Sequence, residues 1–192
     1  MTESDLLARF DRAAAAAGAV FEGVKPEQLD DPSPCTEWTV RQLMNHVVGG
    51  TRQFISMMTG GGQLDRSQDF LGDDPSGAFR AAATELRGLF AADGALEKIV
   101  QTPFGPNPAA MLVGMRVNEM LIHGWDLAKA TGQSTDLDPE LAESCIAGFK
   151  AARAGGRGKG MFADEQPAPD DAPAAGRLAA VAGRSLTWTA GS

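Results

Sequence analysis

One helical stretch, from Val117 to Leu127, limits what this chain can fold into. Most of its positions are apolar, which predicts a helix that is buried on most sides. Glu119 and His123 interrupt the apolar run four residues apart, so their side chains leave the same face of the helix. Asp126 follows three residues after His123 and stays on that side. Because an unpaired carboxylate or imidazole is costly in such surroundings, we expect partners for these groups from elsewhere in the chain.

The chain has two histidines, and the other one, His46, also lies in an apolar helical pattern. Its helix has a sharp start signal. Thr39 and Gln42 have the spacing of a capping box, and Trp38 and Leu43 that of a hydrophobic staple. Two histidines and one glutamate from two facing helices are a ligand set for a divalent metal, and they leave a coordination position open, as catalytic zinc sites do.

The residues alone leave structural roles open. A histidine on an apolar face, such as His46, is often a core residue that is hydrogen-bonded to a carbonyl group. A glutamate and a histidine four residues apart, such as Glu119 and His123, are also a common helix-surface pair. An open metal site would lower the pKa of bound water to about 7, or bind a thiol as its thiolate.

Helical periodicity covers most of the chain and predicts an all-α bundle. Helices are predicted over residues 4–20, 39–59, 75–92 and 108–130, from Asp138-Pro139 onward, and over 173–183. Asn107-Pro108 is interpreted as an N-cap with proline at the first helical position, and residues 98–104 as extended. Residues 155–172, rich in Gly, Pro, Asp and Ala, predict a surface excursion that is ordered only if Met161 and Phe162 dock. Leu186 and Trp188 are expected to pack back on the bundle, which gives one domain over residues 1–192.

The formal charge of -8 argues against nucleic acid or an anionic membrane as the main partner. Apolar runs are shorter than the roughly 18–20 residues that a membrane span needs. The N-terminus is acidic where a signal peptide would be basic, so a cytoplasmic location is expected. The two cysteines, Cys35 and Cys145, are expected to be reduced. Cys35 is either a reactive thiol near the site or a small buried hydrophobe.

Three further residues are candidates for a catalytic role. Asp126 either orients a ligand histidine or pairs with an arginine such as Arg116 or Arg52. Each of these two arginines either binds a substrate carboxylate at the mouth of a pocket or has a surface role. Trp125 is expected to be core or pocket wall.

Two motifs resemble those of the DinB-like superfamily. The first runs from Cys35 to Gly50, CTEWTVRQLMNHVVGG, and the second from Asn118 to Gly132, NEMLIHGWDLAKATG. They are most similar to the actinobacterial branch typified by the N-terminal domain of mycothiol-dependent maleylpyruvate isomerase. The C-terminal stretch up to Trp188, with its Gly-Arg pairs, also resembles a stand-alone metal-binding group of that branch, so the resemblance covers nearly the whole chain.

The resemblance implies a DinB-like four-helix bundle, here with additional short C-terminal helices and a Gly/Pro-rich loop. It implies that His46, Glu119 and His123 hold one divalent metal, commonly zinc, which some relatives use to activate a low-molecular-weight thiol. The isomerase has a second, C-terminal domain that contributes to its activity, and we see no counterpart of it in this sequence. We therefore expect the metal and the thiol to carry over, and not the isomerisation of maleylpyruvate.

The resulting hypothesis is a thiol-dependent transferase or isomerase. A thiol of the mycothiol type would attack a small electrophile as a metal-bound thiolate. A metal-dependent hydrolase that activates water is one alternative. A non-enzymatic protein that binds a metal or small molecule, as a homodimer through an apolar helix face, is another. Zinc, nickel, iron and manganese all accept these ligands, so the sequence leaves the metal open.

Overall fold

Helices dominate the computed structural model, which describes residues 2–35, 37–103, 105–156 and 162–190. The elements in chain order are α1 (Glu3–Gly23), α2 (Val40–Met58), α3 (Pro75–Phe90), β1 (Ile99–Thr102), β2 (Gly105–Pro108), α4 (Ala109–Thr131), α5 (Pro139–Ala154) and α6 (Ala174–Val181). Short 3-10 turns lie at Pro26–Gln28 and Ala95–Glu97. The two strands form one antiparallel hairpin, in which Ile99 is paired with Pro108. The predicted all-α class is therefore confirmed.

The four long helices α1 to α4 enclose the main core. Helix α1 packs against α3 and α4, and α2 packs against the same two helices, so the order around the bundle is α1, α3, α2, α4. Aromatic rings fill the space between α1 and α3: Phe10 meets Phe90 edge to face at 5.7 Å, and Phe21 stacks on Phe79 at 4.5 Å. Because α2 and α4 are neighbours, residues on their facing sides can meet.

Three of the predicted helix starts are confirmed by their caps. The Thr39 hydroxyl accepts a hydrogen bond from the backbone N–H of Gln42, within a complete capping box. Asp74 and Asp138 each accept from the backbone N–H three residues on, and a proline follows each of them at the first helical position.

The predicted start of α4 is wrong. Asn107 lies in β2 rather than at a cap, and α4 begins at Ala109. The Asn107 amide donates to the Thr102 hydroxyl at 3.1 Å and to the Gly105 carbonyl at 3.0 Å, so the hairpin uses the side chain that would have capped the helix. Helix α1 also runs further than predicted, to Gly23, because Val20 and Phe21 are buried in the core.

The C-terminal segment folds back on the bundle. The predicted last helix is present as α6, which packs against α4 and α5 and buries Leu178 completely. Phe162 meets Phe149 of α5 edge to face at 5.3 Å, and Leu186 packs against the core, whereas Met161 lies outside the described residues. Trp188 borders a shallow cleft at the end of α4. Within the described part of the chain, no helix combines the length and apolar character needed to cross a membrane.

Candidate metal centre

Helices α2 and α4 bring the three predicted metal ligands together. The rings of His46 and His123 lie 4.9 Å apart and nearly perpendicular. Each of the two histidines and Glu119 offers one possible ligand atom, and these three atoms lie within 4.8 Å of one another. The Glu119 side chain is 26% exposed and His46 is half-buried, so the group is open to solvent on one side. That these residues bind a metal remains a prediction.

The residues present suit a divalent metal. Two imidazole nitrogens and a carboxylate oxygen are donors that zinc accepts at about 2.0–2.2 Å. The three donor atoms lie close enough for small side-chain movements to bring them to one ion. In addition, one of the histidines already has the acceptor behind its ring that metal-bound histidines usually have.

That acceptor is Asp126, which orients His123. The Oδ2 atom of Asp126 lies 3.0 Å from Nδ1 of His123, and the aspartate is fully buried. Because an ionised carboxylate can only accept, the hydrogen bond places the imidazole proton on Nδ1 and leaves the Nε2 lone pair free. This is the hydrogen bond expected for the first of the two roles predicted for Asp126, which stays a prediction because it depends on metal binding by His123.

The arginine that pairs with Asp126 is Arg184, and not Arg116 or Arg52 as the sequence analysis suggested. Arg184 follows α6 and donates from Nε to Oδ1 at 3.1 Å and from Nη2 to Oδ2 at 3.0 Å. Burial alone would raise the pKa of Asp126, but the hydrogen bond with His123 and the charge of Arg184 hold it below its usual range. The carboxylate therefore stays ionised.

Sequence reasoning missed Arg184 because 58 residues separate it from Asp126. Its only sequence signal was the Gly183-Arg184 pair in the C-terminal stretch that carries the resemblance.

Arg116 lies underneath Glu119, and both roles predicted for this arginine are wrong. Its side chain is fully buried, so it lies neither at a pocket mouth nor at the surface. The guanidinium donates to the Glu119 carboxylate, to the Thr51 hydroxyl at 2.9 Å and to the Val47 carbonyl at 3.3 Å. Its Nε atom has no hydrogen-bond partner among the described residues. Burial pushes the pKa of Glu119 upward, but Arg116 and the two histidines lower it overall, which keeps the Glu119 carboxylate charged.

Gly50 on α2 makes room for this buried arginine. A Cβ atom at Gly50 would lie 2.9 Å from Nη1 of Arg116 and 3.5 Å from Oε2 of Glu119. The neighbouring Gly49 leaves space for the ring of Phe70, to which a Cβ would come within 2.7 Å. The glycine pair of α2 therefore permits close approach on two sides without ending the helix.

The structure does not bring Arg52 to the triad. Its guanidinium forms an ion pair with Glu85 of α3, and both side chains are partly exposed. This matches the surface role that the sequence analysis left open.

Cys35 lies beside the site and is held as a thiol. Its Sγ is 3.2 Å from Oδ2 of Asp126, 2.9 Å from Nη2 of Arg184 and 3.9 Å from Nδ1 of His123. Burial raises the pKa of Cys35 and Asp126 raises it further, which Arg184 only partly offsets. Cys35, His123 and Asp126 are a second group with metal-ligand spacing. Since the Arg184 cation already binds two of its members, the triad with His46 and Glu119 is the better metal site.

The free sides of His46 are covered by Trp38 and Arg66. The rings of Trp38 and His46 lie 4.3 Å apart at an angle of 31°. Nη2 of Arg66 lies 3.3 Å from Nδ1 of His46 and 3.1 Å from its carbonyl oxygen. Burial, followed by the neighbouring His123, lowers the pKa of His46 to about 3, so the ring is neutral at neutral pH. Sequence reasoning missed Arg66, whose only signal is that it is the sole basic residue between Arg52 and Arg80.

The model of the mycothiol maleylpyruvate isomerase N-terminal domain family matches residues 10–128. The chain belongs to this family. The matched range contains all three triad residues together with Asp126, whereas Arg184 lies beyond it. Two uncharacterised proteins from two strains of Mycobacterium tuberculosis are each 40% identical to this chain over 185 residues, which is 95% of this chain and 99% of theirs.

Solved structures of family relatives share the fold. The crystal structure of the mycothiol-dependent maleylpyruvate isomerase superimposes with a TM-score of 0.65 over 83% of this chain and 75% of that one, at 18% identity. A histidine-to-alanine mutant of the isomerase gives the same values. The predicted resemblance to this branch is therefore confirmed, and at this identity the superposition speaks for the fold alone.

Proposed function

We propose that this family member binds one divalent metal ion, zinc in the first instance, through His46, Glu119 and His123. We further propose that it is a thiol-dependent isomerase or transferase that acts on a small electrophile. The observation that carries the proposal is the convergence of the three donor atoms within 4.8 Å, with Asp126 hydrogen-bonded behind His123. Membership in a family named after a mycothiol-dependent isomerase supports the choice of a thiol, with mycothiol as the first candidate.

When bound, a divalent metal with an open coordination position lowers the pKa of a thiol, so that a thiolate nucleophile exists at neutral pH. The residues of this chain prepare the site for that ion. Asp126 holds the Nδ1 proton of His123 and leaves Nε2 as the donor. Arg116 keeps Glu119 ionised and fixes its orientation from below.

The nucleophile is proposed to come from outside the chain. Cys35 is the thiol nearest to the triad in the described part of the structure, but burial and Asp126 raise its pKa. At neutral pH it therefore remains protonated, and its contact with Asp126 is that of a hydrogen-bond donor. Cys145 is buried against α1, where Arg9 contacts its sulfur.

The first test is metal content. Protein purified without a histidine tag or chelator should contain about one divalent metal per chain by elemental analysis, and His123→Ala should contain little. Arg80→Ala removes a surface ion pair with Glu22 and should retain the metal. Wild-type protein that neither retains nor takes up a divalent metal would overturn the proposal.

The second test is thiol dependence. Metal-replete protein should consume a generic small electrophile saturably with mycothiol, and Cys35→Ser should remain active because the external thiol is the nucleophile. Turnover that depends on the metal but not on any thiol would point to a hydrolase. In a cobalt-substituted protein, intense near-ultraviolet absorption on adding thiol would support the thiol, whereas an unchanged spectrum would count against it.

A further inference from the structure

Arg66 occupies an unusual position for an exposed arginine, since it lies directly against a proposed metal ligand. Its Nη2 atom contacts both Nδ1 and the carbonyl oxygen of His46. The same atom would lie 3.7 Å from a Cβ at Gly50, next to Glu119. The guanidinium therefore lies at the open side of the triad.

This contact is incompatible with the form of His46 that binds a metal through Nε2. A guanidinium has only donors, so Nδ1 must accept from Arg66, and the ring proton is then on Nε2. If Nε2 bound a metal, Nδ1 would carry the proton and would face another donor. If Nδ1 bound the metal instead, the metal would occupy the position of Arg66. In either case metal binding must release Arg66 from the ring of His46.

The chain allows such a release without unfolding the loop. The backbone before Arg66 is fixed to α2 by Gln53, which accepts from the Leu64 amide at 2.7 Å. The backbone after it is fixed by Asn45, which accepts from the Phe70 amide at 2.7 Å. Arg66 itself is exposed. The backbone at Arg66 is thus held in place, while its guanidinium group can move at the mouth of the site.

The charges around the triad favour an anion. Around the triad, three arginines (Arg66, Arg116 and Arg184) and two carboxylates (Glu119 and Asp126) carry charges that sum to +1, in a chain whose formal charge is -8. A divalent ion adds two further positive charges. Arg116 and Arg184 are engaged by the two carboxylates, and Arg66 alone of the three contacts no carboxylate in the described part of the chain.

We propose that Arg66 is the substrate-anion receptor of this site, and that metal binding, by displacing Arg66 from His46, makes it available to an oxyanion group of the substrate. The guanidinium fork fits carboxylate and phosphate oxygens. Binding of the metal and of the anion is therefore cooperative, and by linkage each tightens the other by the same factor. This inference rests on the proposed metal site and adds to it the charge class of the substrate.

The test is a zinc titration of the wild-type protein, Arg66→Gln and Arg41→Gln, each with and without succinate and, separately, inorganic phosphate. Arg41 is a matched control because it lies on α2 and binds Asp69 of the same loop. In the wild type and in Arg41→Gln, one of the two anions should tighten zinc binding by about fivefold or more. Arg66→Gln should bind zinc more tightly than the wild type without anion and should not respond to either anion.

Comparing the two anions shows which kind of oxyanion group Arg66 binds. Tightening by succinate assigns a carboxylate, and tightening by phosphate alone assigns a phosphate. An equal anion effect in the wild type and in Arg66→Gln would show that the anion binds the metal itself, and would overturn the inference. So would the absence of any anion effect in protein that binds zinc. If none of the three proteins bound zinc, the proposed metal site would fail as well, so the two failures are distinguishable.

Discussion

At the scale of single residues, the ordering of the site depends on how one carboxylate is shared. Asp126 accepts from His123, Cys35 and Arg184 at the same time, and it is fully buried. A buried carboxylate that kept the histidine but lost the arginine would be only partly compensated, which is costly. Arg184 therefore acts on the proposed ligand through Asp126.

The first prediction concerns this arginine. Arg184→Ala should weaken zinc binding about tenfold to a hundredfold, because residues that orient metal ligands have effects of that size. The zinc affinity of Arg184→Lys should lie between those of the wild type and Arg184→Ala, since lysine keeps the charge but cannot bind both carboxylate oxygens as a fork. Competition with a chromogenic chelator measures the affinity. Arg80→Ala is the control, and unchanged affinity in a folded Arg184→Ala variant would contradict the prediction.

The triad was predictable because its spacing and its two motifs are local in sequence. Glu119 and His123 share one helix face, and the start of the helix that holds His46 is given by its capping box. The surrounding arginines were not predictable. The guanidinium of Arg116 has room in its buried position because Gly50, on another helix, has no side chain. The place of Arg184 depends on how the C-terminal segment docks.

At the scale of helices, two adjacent glycines of α2 each leave space for a side chain from another part of the fold. Gly49 admits Phe70 of the loop that also holds Arg66, and Gly50 admits Arg116. The loop and the buried ion pair thus approach the same turn of α2. Glycine inside a helix makes the helix less stable than alanine does, so helices usually avoid glycine pairs.

The second prediction tests this turn. Gly50→Ala should destabilise the protein by about 1–3 kcal/mol, because the added methyl group forces the Arg116 guanidinium away from Glu119. Gly88→Ala on α3 is the matched control. A Cβ at Gly88 would meet no atom within 4 Å, and the change should stabilise by roughly 0.5–1 kcal/mol. Urea denaturation of both variants measures the difference, and equal effects would refute this role of Gly50.

The third prediction concerns the N-cap of α5. Asp138 also binds Arg12 of α1, and this hydrogen bond with arginine holds the pKa of Asp138 below its usual value. A lowered pKa in the folded state adds stability above the unfolded pKa of about 3.9, which is lost as pH falls through the folded value. Asp138→Asn should therefore cost up to about 1 kcal/mol near neutral pH and progressively less below about pH 4.

Urea denaturation at a series of pH values measures this loss for Asp138→Asn. Arg12→Gln should show the same pH trend, and the double variant should lose little more than either single variant. A loss that is constant down to pH values below the folded pKa would show that charge at this cap contributes nothing.

The start of α4 shows where local signals fail. Asn107 before proline has the sequence of a helix cap, but its amide is used within the hairpin. Residue order alone does not tell which of two nearby partners an asparagine will bind. The other caps, at Thr39, Asp74 and Asp138, keep their hydrogen bond to the backbone N–H three residues on and were predicted correctly.

At the scale of the whole molecule, the proposed site joins parts that are far apart in sequence. Its side chains come from α2, α4, the loop after α2 and the segment after α6. A ligand that holds these parts together binds the folded state and not the unfolded chain, so it should stabilise the entire fold.

The fourth prediction follows from this linkage. Free zinc at a hundred times its dissociation constant should add about 2.7 kcal/mol to the free energy of unfolding. For a chain of 192 residues this corresponds to a rise in Tm of roughly 5–10 °C. Differential scanning calorimetry should show the rise, and EDTA should reverse it. His46→Ala should show a much smaller rise, and an equal rise in that variant would place the metal elsewhere.

The two histidine rings, 4.9 Å apart between α2 and α4, are the only histidines in the sequence. Selective isotope labelling of histidine would therefore give an NMR spectrum in which every imidazole signal comes from this one place. The ring nitrogen shifts would report tautomer and ligation directly, with no assignment problem and no background from the rest of the protein. In this respect the chain contains its own site-specific probe.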